Sequence, residues 1–317
     1  MFALRSVLPR ARCGVVGAAV ASCASRSLST GASSAWKFVT PPKQEDQVLL
    51  GCVSYDPAIT TIWEGMKVYL NKAGCPMDFV LFTNYEQQVA ALLEGRIDIA
   101  WNGPIAHVMS QKLAGDGKVV SLGMRDVDCD FKSICLARKD ANIKSVKDLE
   151  GKVVATGASD SPQAHIVPLQ WLKSLGVSPK EVKAFDLDLG KHGDTALGEI
   201  EALKALAAGE AEAGLLSNMM YQRGLDGALP GLDGAALKAA VEVVSGEGPP
   251  LFDHCQFDSL LSTPAWKRDS FVKAVMAMDM SNKEHAVIMK LEGISKTWMP
   301  PREEGYRVVR EAIDALE

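Results

Sequence analysis

The chain has 317 residues, of which 47% are hydrophobic and 23% charged, with a formal net charge of -5. That length carries one large domain or two smaller ones with genuine cores, which excludes a disulfide-dependent miniprotein and a wholly disordered chain. Residues 1–44 hold six bases (Arg5, Arg10, Arg12, Arg26, Lys37 and Lys43) and no acid. Without those six, 28 bases face 39 acids, and a body of formal charge -11 is ill suited to general nucleic-acid binding.

In chain order, residues 1–30 read as a cleaved targeting peptide, being rich in Arg, Ser and Ala and free of acids. A mitochondrial address, matrix or matrix-facing, is expected, with Arg26-Ser27-Leu28-Ser29-Thr30 as the processing region. Two other addresses stay open. The short apolar run Cys13 to Val20 behind basic residues also suits a secretory signal, and plastid import is the third reading. No later run reaches the roughly 18 apolar residues of a membrane span, so no transmembrane segment is expected. Residues 31–47, polar and proline-containing, read as a flexible approach.

The ordered body is expected to open on the strand Val48 to Val53. A helix over 59–73 follows, with Ile62, Met66, Val68 and Tyr69 available for a buried face and Gly74 and Pro76 as its stop. A strand over 78–82, a helix over 85–94, a strand over 97–101 and a helix after Asn102-Gly103-Pro104 continue the alternation. This pattern predicts an α/β fold built on mostly parallel sheets covered by helices. A second unit opens near residue 140, with strands over 152–156, 181–186 and 211–216 and helices over 163–175 and 195–208. Residues 240–260 are too poor in strands for a third domain and are expected to return to the first unit. The boundaries are therefore 48–139 and 240–317 for lobe 1 and 140–239 for lobe 2, with a ligand cleft between them. The last helices fall at 264–278, 282–291 and 303–316. Cys52, Cys75, Cys129, Cys135 and Cys255 are too few and odd in number for a disulfide framework, so reduced thiols are expected.

The segments Asn84-Tyr85-Glu86-Gln87-Gln88-Val89, Leu93 to Pro104, Val146 to Val153, Gly157 to Ala164, Gly190-Lys191-His192-Gly193-Asp194 and Ala208 to Gly214 occur in a specific order. Together they resemble the phosphate/phosphonate ABC-transporter substrate-binding protein family, which has the type II periplasmic-binding-protein fold. The resemblance covers about 48–317. It implies a non-catalytic, hinged, two-lobed binder that closes on a small oxyanion (phosphate, phosphite or phosphonate-like) seated at a helix start. On the matching positions it implies Ser159, Ser161, Gln163 and Ala164 as anion donors, Tyr55 and Tyr85 as first-lobe contacts, and Asn102 after the third strand. His192 would enter from the second lobe and Asp253 lie near the cleft. No cofactor is implied.

The chain departs from the family pattern at Asp160 and Pro162, where a carboxylate and a residue without an N–H stand in the anion loop. Asp160 either faces away as a cap or marks a less anionic ligand. Met219 and Met220 cannot pair with an ammonium group, which disfavours an aminophosphonate. Each candidate also has a plainer reading. Tyr55 and Asp56 before Pro57 can form a turn, Ser161 can cap a helix, and Asp194 can cap the helix after it.

Asp253-His254-Cys255, with His192, offers a metal-ligand set (His192, Asp253, His254 and Cys255), although adjacent residues of an extended segment point to opposite faces. No GxGxxG, GxxxxGK(S/T) or HExxH sequence occurs. Two other function classes stay open. One is an accessory subunit of a mitochondrial membrane or respiratory complex, and the other a metabolite-biosynthetic enzyme using His192 or His254.

Overall fold

Strand β1 (Val48–Val53) is buried along its whole length and lies between β2 (Met77–Phe82) and β3 (Ile99–Asn102), parallel to both. A strand covered on both faces reads as an unbroken apolar run, as Val-Leu-Leu-Gly-Cys-Val does. Between β1 and β2, helix α1 (Ile59–Lys72) turns Ile59, Ile62, Trp63, Met66 and Leu70 onto the sheet. That spacing follows the helical repeat, and each side chain so buried contributes about 1.5–3 kcal/mol. Gly74, at φ +84°, ends the helix where a Cβ would be strained. Helices α2 (Tyr85–Leu93) and α3 (Pro104–Ala114) flank the same lobe, and β4 (Val119–Arg125) leads out of it.

The computed structural model describes residues 40–244 and 246–316. The targeting peptide expected over 1–30 therefore lies outside the described residues, as does most of the approach. The described end of that approach is anchored. Lys43 Nζ lies 2.6 Å from a carboxylate oxygen of Asp98, which is fully buried and also binds Lys267 Nζ at 2.9 Å. Lys267 in turn donates to the carbonyl of Gln44 at 3.1 Å. A buried carboxylate needs such partners, and they tie residues 43 and 44 to the lobe.

The second sheet contains β5 (Ser133–Arg138), β6 (Val153–Thr156), β7 (Glu181–Ala184), β8 (Ala213–Ser217) and β9 (Val241–Val243), in the order β7-β6-β8-β5-β9. The first sheet is completed by β10 (Gln256–Leu260) and β11 (Trp298–Met299), in the order β11-β4-β10-β3-β1-β2. Both sheets are mixed rather than mostly parallel. β10 returns from the other lobe and enters antiparallel between β3 and β4, and β5 runs antiparallel to β8 and β9. The crossings accordingly fall near 126–132 and 244–255, outside the expected boundaries at 139 and 239, because β5 and β9 both pair inside the second sheet.

In lobe 2, helix 163–175 resolves into a π-turn at Pro162–Ile166 followed by α4 (Val167–Ser174). Helices α5 (Leu197–Ala208), α6 (Asn218–Leu225) and α7 (Gly234–Ala240) cover the sheet. The chain ends with α8 (Ala265–Met276), α9 (Lys283–Leu291) and α10 (Arg307–Asp314). Ile313 and Val309 of α10 join Ile105 and Val108 of lobe 1, Ile166 and Val167 of lobe 2, and Phe252 of the return crossing in one apolar cluster. The last helix thus packs on both lobes at the hinge.

Candidate functional site

The crossings run side by side. Phe131 N–H donates to the Phe252 carbonyl at 2.6 Å, and His254 N–H to the Asp128 carbonyl at 2.8 Å. On the first-lobe side of the space they frame, Asn84 caps α2, its side chain accepting from the Gln87 N–H at 2.9 Å. This cap fixes the start of α2 and sets Tyr85, only 1% exposed, against the second lobe.

The second lobe answers with the loop between β7 and α5. Gly190 carbonyl accepts from the Tyr85 N–H at 3.1 Å, and Lys191 Nζ donates to the Ser54 carbonyl. The His192 ring stacks on Tyr85 with centroids 4.7 Å apart and planes 13° from parallel. Asp194 carboxylate accepts from the Tyr85 hydroxyl. It does not cap α5, whose N-cap residue, Ala196, makes no side-chain cap.

Beneath that loop lies the start of the π-turn. Ser161 Oγ accepts from the Ala164 N–H at 3.2 Å, so it is a helix cap as well as a buried hydroxyl. Gln163 Nε2 donates to the Gly193 carbonyl and to Glu199, each at 3.3 Å. Gly193 must be glycine here, because a Cβ would stand 2.5 Å from Ser161 Oγ at φ +78°. Ser159 N–H donates to Asp186 at 2.7 Å. Asp160, whose carboxyl burial pushes up to about 7, neither caps the helix nor faces away. It accepts from the Gly190 N–H at 2.6 Å and so holds the loop down.

Behind Tyr85 is a charged group that sequence reasoning did not find. Arg125 at the end of β4 grips Asp128 with Nε at 2.6 Å and Nη2 at 2.8 Å, and lies 5.3 Å over the Trp101 ring. Its Nη1 donates to the Glu292 carbonyl at 2.7 Å. Burial raises the Glu292 carboxyl to about 7 against the pull of Arg125, and likewise Asp194 to about 7 against Tyr85 and Arg125. Burial also drives His192 down to about 3, with neighbouring His254 adding to the effect, and His254 itself to about 4. Both imidazoles are therefore neutral near pH 7, and neither supplies positive charge. Tyr55 lies against the same group. Its hydroxyl is raised well above the usual range by burial first, then by the charge of Glu292.

Residues 53–298 match the family described as ABC transporter, phosphonate, periplasmic substrate-binding protein. The chain belongs to this phosphonate-binding family. Among similar proteins, the phosphate-import protein PhnD of Mycolicibacterium smegmatis is 28% identical over 175 residues, covering 54% of this chain and 51% of that protein. The probable ABC transporter phosphite binding protein PhnD1 of Prochlorococcus marinus is 23% identical over 153 residues, 46% of this chain and 49% of the relative. The alignments thus span about half the length of each relative. Among solved structures, Prochlorococcus marinus PhnD1 in complex with methylphosphonate superposes with a TM-score of 0.63 at 16% identity, covering 86% of this chain and 98% of that one. XAC2383 of Xanthomonas citri bound to chloride gives a TM-score of 0.64 at 14% identity, with 86% and 97% covered. These likenesses establish the two-lobed fold.

Within this fold, Tyr85 and His192 meet across the lobe interface, Ser161 and Gln163 lie beneath the same loop in lobe 2, Tyr55 borders the interface, and Ala164 N–H is taken up by Ser161. Three other expected contacts are engaged elsewhere. Asp56 is exposed and accepts from the Ala58 N–H at 2.7 Å, the turn that starts α1. Asn102 is fully buried inside lobe 1, accepting from Gln88 at 2.8 Å and donating to Asp258 at 2.8 Å. Asp253 accepts from the Asp130 N–H at 3.0 Å and pairs with Arg302 at 3.0 Å. Of the metal set His192, Asp253, His254 and Cys255, only His254 and Cys255 have donor atoms grouped within 4.8 Å, and there with Asp128 instead of Asp253 or His192. Arg125 and Asp128 did carry a signal, a base and an acid three apart after an apolar strand. Glu292 carried none, since an acid before glycine at a helix end reads as ordinary surface.

Proposed function

We propose that the chain is a non-catalytic binder of a small oxyanion (phosphate, phosphite or a phosphonate) that closes two lobes around it. The observation carrying this reading is the carboxylate of Asp194, an oxyanion of the chain's own, docked on the Tyr85 hydroxyl beside the Ser161 helix start. In the proposed cycle, opening the lobes withdraws Asp194 and uncovers Tyr85. A ligand oxyanion then takes the hydroxyl, and reclosure buries it between donors from both sides. The phosphate and phosphite named for the two relatives, and the methylphosphonate held by PhnD1, support this choice of ligand class. Selectivity would come from oriented hydroxyl and N–H donors, because the histidines are neutral and Arg125 is committed to Asp128.

Thermal unfolding of the full chain tests the reading across phosphate, phosphite, methylphosphonate, sulfate and small carboxylates. A ligand at one hundred times its Kd adds about 2.7 kcal/mol to the folded state. Tyr85→Phe should lose that gain while keeping its fold. No shift with any of these anions would sink the proposal.

The proposal includes a mitochondrial, matrix-side address, supported by the acid-free, Arg-rich residues 1–30. Copurification with a membrane complex is the outcome that would favour the accessory-subunit reading.

A further inference from the structure

Where the crossings run together, three side chains offer donor atoms of three kinds within 4.8 Å of one another: Asp128, His254 and Cys255, all buried. His254 Nδ1 lies 3.1 Å from Cys255 Sγ and 3.6 Å from Asp128 Oδ1. Bonds of roughly 2.0–2.3 Å to a tetrahedral metal imply ligand-to-ligand spacings of about 3.5 Å, close to both distances. From these placements we infer that Asp128, His254 and Cys255 form a binding site for a divalent metal of the zinc class, on the hinge between the lobes.

A second observation, independent of the triad, points to a cation. Glu292 is 2% exposed, and neither of its carboxylate oxygens has a hydrogen-bond partner among the described residues; the nearest base, Arg125 Nη1, is 3.8 Å from Oε1. The charges of Glu292, Asp128 and Asp194 all reach Cys255, and that of Asp128 reaches Asp194 in the second lobe. Asp128 holds the Arg125 guanidinium in a bidentate pair, which leaves Glu292 beside a base already engaged. A buried carboxylate without a hydrogen-bond partner either takes up a proton or is held by a positive partner, and a bound cation is such a partner.

The donor types select its class. A thiolate with an imidazole and a carboxylate suits zinc and its borderline-soft neighbours rather than calcium or magnesium. Arg125 leaves lone pairs on Asp128 and fixes its plane, as an outer-shell partner does. The His254 backbone N–H on the Asp128 carbonyl pins two ligands to each other across the crossings. On loading, the Cys255 S–H bond is replaced by an S–metal bond and the proton leaves to solvent, with no change of oxidation state. The charge of Asp194, from lobe 2, reaches Cys255, which would couple loading to closure.

The test uses the full chain, stripped with chelator and then dialysed against zinc alone or cobalt alone. One tightly held zinc per chain is expected, with a thiolate-to-metal charge-transfer band in the cobalt form. Cys255→Ser should abolish the band and weaken zinc binding more than about 100-fold, beyond the cost of losing an outer-shell partner. Cys129→Ser, at a neighbouring and more exposed thiol, should leave both unchanged. A cobalt form of the unaltered chain without the band would overturn the site, even if Cys255→Ser does not fold. So would zinc binding that survives Cys255→Ser, or zinc binding lost with Cys129→Ser.

Discussion

Replacing Gly193 with alanine probes how tightly the loop is seated on the Ser161 helix start. Gly193 has φ +78°, and a Cβ there would lie 2.5 Å from Ser161 Oγ and 2.7 Å from Gln163 Nε2. Two costs are separable. The left-handed backbone alone costs alanine about 1–2 kcal/mol. Displacing Ser161 weakens the cap on Ala164, about 1 kcal/mol, and moving Gln163 disturbs a buried hydrogen bond of similar worth. Gly74→Ala supplies the control, for Gly74 has φ +84° and nothing within 4 Å of a built Cβ. Chemical denaturation at neutral pH should therefore show Gly193→Ala losing about 3–4 kcal/mol and Gly74→Ala about 1–2 kcal/mol. The difference, about 2 kcal/mol, measures the packing of the loop on the cradle. Equal losses would refute the reasoning, since only backbone strain would then be at work and the loop would not rest on Ser161.

Two further outcomes are expected. Asp160, Asp194 and Glu292 have folded values near 7 against unfolded ones of 3.8, 3.8 and 4.5, so the folded state binds more protons and stability falls as pH rises through that window. His165, His192 and His254 are depressed to about 4, 3 and 4 from 6.5, so stability is lost as pH falls below about 6.5. In chelator, the melting temperature should thus rise from about pH 8 to 6.5, by at most about 1 kcal/mol per carboxyl, and then level off where the two sets oppose each other; a steady rise toward pH 8 would contradict the buried acids. Residues 1–30 fused to a fluorescent reporter should enter mitochondria, and a secreted or diffuse reporter would overturn that address.

Much of the fold was legible because its signals are local. The run Val48 to Val53 and the buried stripe of α1 follow from side-chain period alone, and Gly74 and Pro76 mark the stop. β4 and β5 were less visible. β4 ends and β5 begins beside the same crossing, each strand closes on an arginine, and their pairing with β10 and β8 is long-range. The π-turn at Pro162–Ile166 was read as plain helix, because nothing in the sequence distinguishes a turn widened by one residue from a regular one. At the lobe interface, Tyr85, Ser161 and His192 were legible as candidates from loop chemistry, and the structure stacks Tyr85 on His192 there. Those whose role depends on burial by a distant segment, Arg125, Asp128 and Glu292, were not legible. Asp56 and Asn102 engage a turn and an internal amide network, which satisfy the same polar groups that a ligand would.

The acidity of the chain makes its lobe interface a contest between like charges. In the proposed cycle an oxyanion reaching Tyr85 displaces the Asp194 carboxyl, in a setting where burial has already pushed Asp194 toward protonation and kept both histidines neutral. The exchange is favourable only if the ligand gains more from donors on both lobes than Asp194 gains from Tyr85 and its loop. That loop is held by many small anchors, Asp160 on Gly190, Gln163 on Gly193 and Lys191 on Ser54, each worth on the order of 1 kcal/mol. A metal on Asp128, His254 and Cys255 changes the balance. It would add one net positive charge beside the interface, two from the ion less one from the Cys255 thiolate, favouring the charged form of Asp194 and of an incoming oxyanion alike. Ligand selectivity and metal loading are then coupled through one residue, Asp194. The apolar cluster of Phe252, Val309 and Ile166 joins the two lobes beside the crossings, where the proposed opening would pivot.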